Sequence, residues 1–212
     1  MGVPIDYQLQ AYWSDSKFND LRMDASTHTL QTITYEHHEI HAGSFFHCHY
    51  ENACTNTNEQ SVIAFNTPNS DKEIHILATG SVTSIARLSI VENPSIDNDE
   101  GTTLTIYNRN RRSTKTSGVS TIQASPVSGS ATSFNEAQAA NANITTTTTL
   151  DSVVVGAAGA QPFSGGIGGL FRGGAEWVLE PNQQYAFIAE SLSDDDNYHT
   201  IELNWYEHTP KD

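Results

Sequence analysis

From Thr29 onward, apolar side chains recur at every second position in short runs, and clusters of turn-forming residues separate the runs. Residues 29–36 place Ile33 and Tyr35 on one side. Residues 44–50 set Phe46, Cys48 and Tyr50 against Phe45, His47 and His49. A run at 61–66 stops at the breaker NTPNSD of residues 66–71. Runs at 73–78 and 82–91 follow, the second with Val82, Ala86, Leu88 and Ile90 facing one way. After an acidic turn at 96–101, alternation resumes over 102–108. It returns at 175–179, 184–192 and 198–207, punctuated by Glu180-Pro181-Asn182 and by residues 193–197. The pattern predicts nine or ten strands at the spacing of a sandwich. It contains no strong amphipathic helix, no βαβ alternation and no internal repeat. The expected fold is therefore all-β, a jelly-roll-like antiparallel β-sandwich.

Two stretches break the pattern. Residues 1–28 mix polar side chains with Tyr12, Trp13 and Phe18 and show no period, which reads as an N-terminal arm whose aromatics dock on this core or on a neighbour. Residues 113–174 are a Ser/Thr/Gly-rich insertion into the single domain of 29–212. Within it, 119–124 has strand character and 134–142 reads as a short helix or an extended loop. Eight glycines between 156 and 174 suit a long loop that turns sharply or lies close to a partner.

Composition agrees with strands. Charged residues make up 17% of the chain, against about 25% in an average domain, and Thr, Ser and Asn are abundant. Such side chains compete for backbone hydrogen bonds in helices, and Thr is β-branched. The net charge of −15 repels phosphate backbones, so nucleic acid is not an expected partner. Arg109, Arg111, Arg112 and Lys115 nevertheless gather four of the ten bases within seven residues. They read either as a solvated turn or as an anchoring patch for an acidic protein surface. No apolar run has the ~18 residues of a membrane span. The opening MGVPIDYQLQ lacks the regions of a signal peptide, so synthesis in a cytoplasm is expected.

Histidine is the one residue type whose placement suggests chemistry. His37, His38 and His41 are followed by His47, His49 and Glu51, which alternate and share a face if the segment is a strand. Two imidazoles and a carboxylate suit a divalent metal with an open position. Gly43 followed by His47-x-His49 resembles part of the cupin metal motif, but the glutamate is too close and a second motif is missing. The alternative is a polar outward or inter-subunit face. Cys48 reads as a small buried residue, and a bridge to Cys54 requires the segment to turn. The acidic turns at 97–101 and 194–196 lack the full ligand pattern of a calcium loop and read as hairpin turns. Nucleophile elbows and phosphate-binding loops are missing. No catalytic residue and no cofactor are expected.

Four strings in order carry a family resemblance: EHHEIHAG at 36–43, IYNRNR at 106–111, GAEWVL at 174–179 and NWYEHT at 204–209. Together they resemble a group of tailed-bacteriophage virion proteins, over about residues 33–209. The resemblance implies a structural protein on the outer capsid surface, a decoration or cement protein. Its implied partners are the major capsid protein and two further copies of itself in a homotrimer. Contacts are then expected at Arg109, Arg111, Arg112, His37, His38 and His41, with Tyr12 and Trp13 from the arm. A head-fibre base, a host-glycan-binding module using Trp177, Trp205 or Tyr206, and a cupin-like metalloenzyme using His47 and His49 are the competing expectations.

Overall fold

Alternation becomes strand almost wherever it occurs. A computed structural model describes residues 10–12, 18–20, 35–94, 101–127, 148–157, 163–166 and 176–209. The chain divides into two units, Met1–His38 and Glu39–Asp212. In the first, β1 (Gln10–Tyr12) pairs antiparallel with β2 (Phe18–Asp20), Tyr12 opposite Phe18.

The second unit is a sandwich of two antiparallel sheets. Its strands are β3 (Phe45–Cys54), β4 (Gln60–Asn66), β5 (Glu73–Val82), β6 (Ala86–Glu92), β7 (Thr102–Thr103), β8 (Tyr107–Asn108), β9 (Ser120–Val127), β10 (Thr148–Val155), β11 (Phe163–Gly166), β12 (Trp177–Leu179), β13 (Gln184–Ser191) and β14 (Asn197–His208). The first sheet runs β10-β6-β13-β4-β9-β7. The second runs β11-β5-β14-β3-β8, with β12 also on β5. The strands from β3 to β6 alternate between the sheets, β10 stays beside β6, and the chain then alternates again through β11 and β12, β13 and β14. The two antiparallel sheets match the expected all-β sandwich.

Residues two apart share a face, so each strand gives one set of side chains to the interior. On β5 these are Ile74, Ile76, Ala78 and Val82. Ile201, Leu203 and Trp205 come from β14, Ala86, Leu88 and Ile90 from β6, and Tyr185, Phe187 and Ala189 from β13. Gly80 has no side chain because Leu88 of the opposite sheet occupies its space: a Cβ there would lie 2.8 Å from Leu88 Cδ1. The faces of the two sheets differ. On β4 and β13 both sets are buried, Val62, Ala64, Ala186 and Ile188 included. On β5 and β14 the alternate residues are largely polar and at least partly exposed.

Glu207 closes one end of the core. Its carboxylate, 3% exposed, accepts hydrogen bonds from Ser117 Oγ, from the Gly118 N–H at 2.9 Å and from Trp205 Nε1 at 3.3 Å, and Lys72 Nζ stands 3.8 Å away. A buried carboxylate without such donors would cost several kcal/mol. With them it ties the 113–119 segment to the sandwich.

Several expectations need correction. Residues 35–36, assigned to a strand, begin helix α1 (Tyr35–Ala42); residues 29–34 lie outside the described residues. The helix stops at Gly43, whose φ of +75° is open to glycine at little cost and whose N–H bonds the Ile40 carbonyl. Residues 102–108 are two strands in different sheets, since β7 pairs with β9 and β8 with β3. The glycine-rich stretch contains β11, paired along residues 79–82 of β5. Cys48 and Cys54 are both free and buried, six positions apart along one continuous strand. That separation is about 20 Å, far beyond the roughly 7 Å a disulfide spans. Burial pushes the Cys48 thiol up to about 12, consistent with a packing residue. Residues 134–142 and most of the turn at 97–101 lie outside the described residues.

Candidate functional site

The outer face of the second sheet is built on β14, flanked by β3 and β5. The register sets Glu202 between His49 and Thr79, Asn204 between His47 and Leu77, and Tyr206 between Phe45 and His75. His47 and His49 therefore share the outward face with Glu51, as alternation requires. His47 Nδ1 donates to Asn204 Oδ1 at 3.2 Å, and its ring stacks on that of His49 at 5.7 Å.

The basic turn is folded by its asparagines. Tyr107 and Asn108 pair with His47 and Phe46 of β3, and the Arg109 N–H then bonds the Phe45 carbonyl. Asn108 Nδ2 donates to the carbonyls of Gly43 (2.8 Å) and Lys115 (3.1 Å), while its Oδ1 accepts the Asn110 N–H. Asn110 repeats the device, donating to the His41 carbonyl and accepting the Arg112 N–H. The bonds that the two Oδ1 atoms accept from N–H groups two residues on are Asx turns, while the amide donors tie the turn to Gly43, Lys115 and His41. They turn both asparagines inward and leave Arg109, Arg111 and Arg112 exposed. The Arg109 guanidinium lies over the Phe45 ring, 5.0 Å from its centroid, and Arg111 over Tyr107 at 5.7 Å. Such contacts restrain long side chains without neutralising them.

One open groove of about 610 Å³ results, lined by His47, Thr79, Tyr107, Asn108, Arg109, Arg111, Glu202 and Asn204. It brings together members of the two clusters that the sequence singled out separately, His47 of β3 with Arg109 and Arg111 of the basic turn. Its lining is polar and charged, with one exposed aromatic ring. Two fixed cations, one carboxylate, amide groups and a 42% exposed Tyr107 offer planar hydrogen bonding and an aromatic surface.

The other candidates sit elsewhere. His37, His38 and His41 are exposed on α1, the first two in the first unit. Nothing is described of the Tyr12 side chain, and Trp13 lies outside the described residues. Trp205 and Tyr206 are buried and Trp177 packs against the core, so the aromatic presented in the groove is Tyr107 instead. In the acidic turn at 194–196, Asp194 accepts the Thr57 N–H and hydroxyl, which hold its carboxyl below the usual range. That turn fastens two loops.

His47, His49 and Glu51 do not converge as metal ligands. Among the described residues, the one group whose donor atoms all lie within 4.8 Å is Glu73, His75 and His208. It sits on the same outer face, where β5 begins and β14 ends, with Glu73 opposite His208 in register. Sequence reading missed it because the register alone joins His208 to His75. Under the sheet, His199 is 1% exposed, with Nδ1 3.0 Å from Ser61 Oγ and 3.5 Å from Cys54 Sγ. Burial pulls its pKa down to about 4, against smaller upward effects of the Ala189 backbone and Glu59. No family model, curated protein or solved structure matches the chain.

Proposed function

We propose that the chain is a structural virion protein that decorates and stabilises a bacteriophage capsid. In this reading it attaches through the outer face of its second sheet, as a homotrimer, to the major capsid protein. The observation that carries the reading is the convergence of Arg109, Arg111, His47 and Tyr107 on one open groove. A fixed basic patch on a chain of net charge −15 selects an acidic protein surface by local complementarity, while overall repulsion disfavours other polyanions. The strings at 36–43 and 106–111, which carry the family resemblance, supply the helix end and the turn that bond each other. Modest contacts suffice, because a trimer multiplies them through effective concentration.

The test is attachment to purified heads that lack this protein. The wild-type chain is expected to bind in hundreds of copies, more weakly as salt rises. Arg109→Glu combined with Arg111→Glu should lower occupancy at least tenfold. Unchanged occupancy of the double variant overturns the proposal.

A host-glycan-binding module is the second reading. It is favoured by exposed Tyr107 beside Asn108, Asn204 and Glu202, an aromatic surface with planar hydrogen-bonding groups. A glycan array separates the two. Binding lost in Tyr107→Ala, with head occupancy retained, favours the glycan; no binding leaves the capsid reading alone.

A further inference from the structure

We infer that Glu73, His75 and His208 form a binding site for a divalent transition metal of the zinc class, distinct from the groove. His75 Nε2 and His208 Nε2 each lie 3.4 Å from the same Glu73 Oε2. That spacing is long for a hydrogen bond, which prefers 2.7–3.2 Å. It matches neighbouring ligands around a tetrahedral ion: bonds of about 2.0–2.1 Å to imidazole and carboxylate place adjacent donors about 3.3 Å apart. Two imidazoles and one carboxylate form a three-ligand set that leaves a fourth position for water.

The surroundings add what metal-binding histidines generally have. His75 Nδ1–H is directed to Glu176 Oε1, which fixes the tautomer that presents Nε2 to the ion. The Tyr206 hydroxyl donates to the same Glu176 oxygen, and the Tyr206 ring stacks on His75 at 4.6 Å. The His208 ring stands 4.7 Å from that of His75. Three chain segments thus converge: β5 gives Glu73 and His75, β14 gives His208, and the residue before β12 gives the supporting carboxylate. An ion here would fasten the end of β14 to β5. The supporting residues distinguish this cluster from His47 and His49, whose pairing is with an amide and with each other.

The experiment is titration of the untagged full-length chain with zinc sulfate by calorimetry, and with cobalt(II) chloride by visible absorption. One equivalent of zinc should bind, cobalt should give the intense bands of a tetrahedral site, and zinc should raise the melting temperature. Glu73→Gln and His208→Asn should each weaken binding at least tenfold. Glu176→Gln, which removes no ligand, should weaken it about ten- to hundredfold, and His49→Asn should leave it unchanged. Substoichiometric binding by the wild-type chain overturns the inference whatever the variants do. So does full affinity in both Glu73→Gln and His208→Asn, or loss in His49→Asn.

Discussion

Asn108 and Asn110 show how much of the candidate binding face rests on single side chains. In the string Asn-Arg-Asn-Arg the amides satisfy five neighbouring backbone groups between them. The intervening arginines are thereby left to solvent and to the rings of Phe45 and Tyr107. The cluster of bases was legible in the sequence, whereas the reason for its spacing was not, because the accepting carbonyls of Gly43 and His41 lie far back in the chain. His199 makes a separate prediction. Its pKa is about 4 in the folded chain and about 6.5 when unfolded. Between those values the unfolded state binds more protons, so stability falls as pH drops from about 6.5 to about 4 and is fully retained above that window. The loss approaches about 3 kcal/mol by pH 4. Urea unfolding across this range should show the slope in the wild-type chain and a shallower one in His199→Gln. Equal slopes would assign the acid sensitivity to other groups.

At the scale of elements, β14 was legible nearly to the residue because period-two burial writes itself into sequence where one face is buried, and β4 and β13, buried on both faces, because turn residues bound their apolar runs. The boundary between β5 and β6 was not: β5 runs on to Val82, which the expected pattern gave to the next strand, and β6 begins only at Ala86. The helix was not legible either. Tyr35–Ala42 reads YEHHEIHA, with too few apolar residues to show a helical period, and only Gly43 marks its end. Residues 102–108 kept their alternation while changing partners: Leu104 and Ile106 pack on the core in the passage from one sheet to the other. Periodicity reports burial and is blind to which strand lies alongside. The Glu73–His75–His208 cluster was hidden for the same reason, since a one-residue slip of β14 against β5 would move His208 to the other face. Gly80 tests how closely the sheets are fitted. Gly80→Ala places a methyl group against Leu88 and should cost about 1–3 kcal/mol. In a Leu88→Ala background the cost should largely vanish. A double-mutant cycle by chemical denaturation measures this, and additive costs would show that the Gly80–Leu88 approach is not the constraint.

For the whole molecule, the asymmetry between the two sheets decides where function can lie. The central strands of the first sheet are buried on both faces, whereas the second sheet carries histidines, tyrosines, amides and carboxylates on its outer face beside a displayed arginine turn. Sequence reading reached the fold class and both ingredients of that face. It could not place them together, because strand β8 reaches β3 only through the three-dimensional pairing of Tyr107 with His47. In the proposed shell lattice, a three-fold contact would be heterologous and closed. The central claim is that this face attaches to a virion shell. An electron cryomicroscopy map of the virion tests it most directly. The account predicts sandwich-shaped density at local three-fold positions, with Tyr107, Arg109 and Arg111 turned onto acidic residues of the major capsid protein. Density in which that face points to solvent, or a shell without this protein, would contradict it.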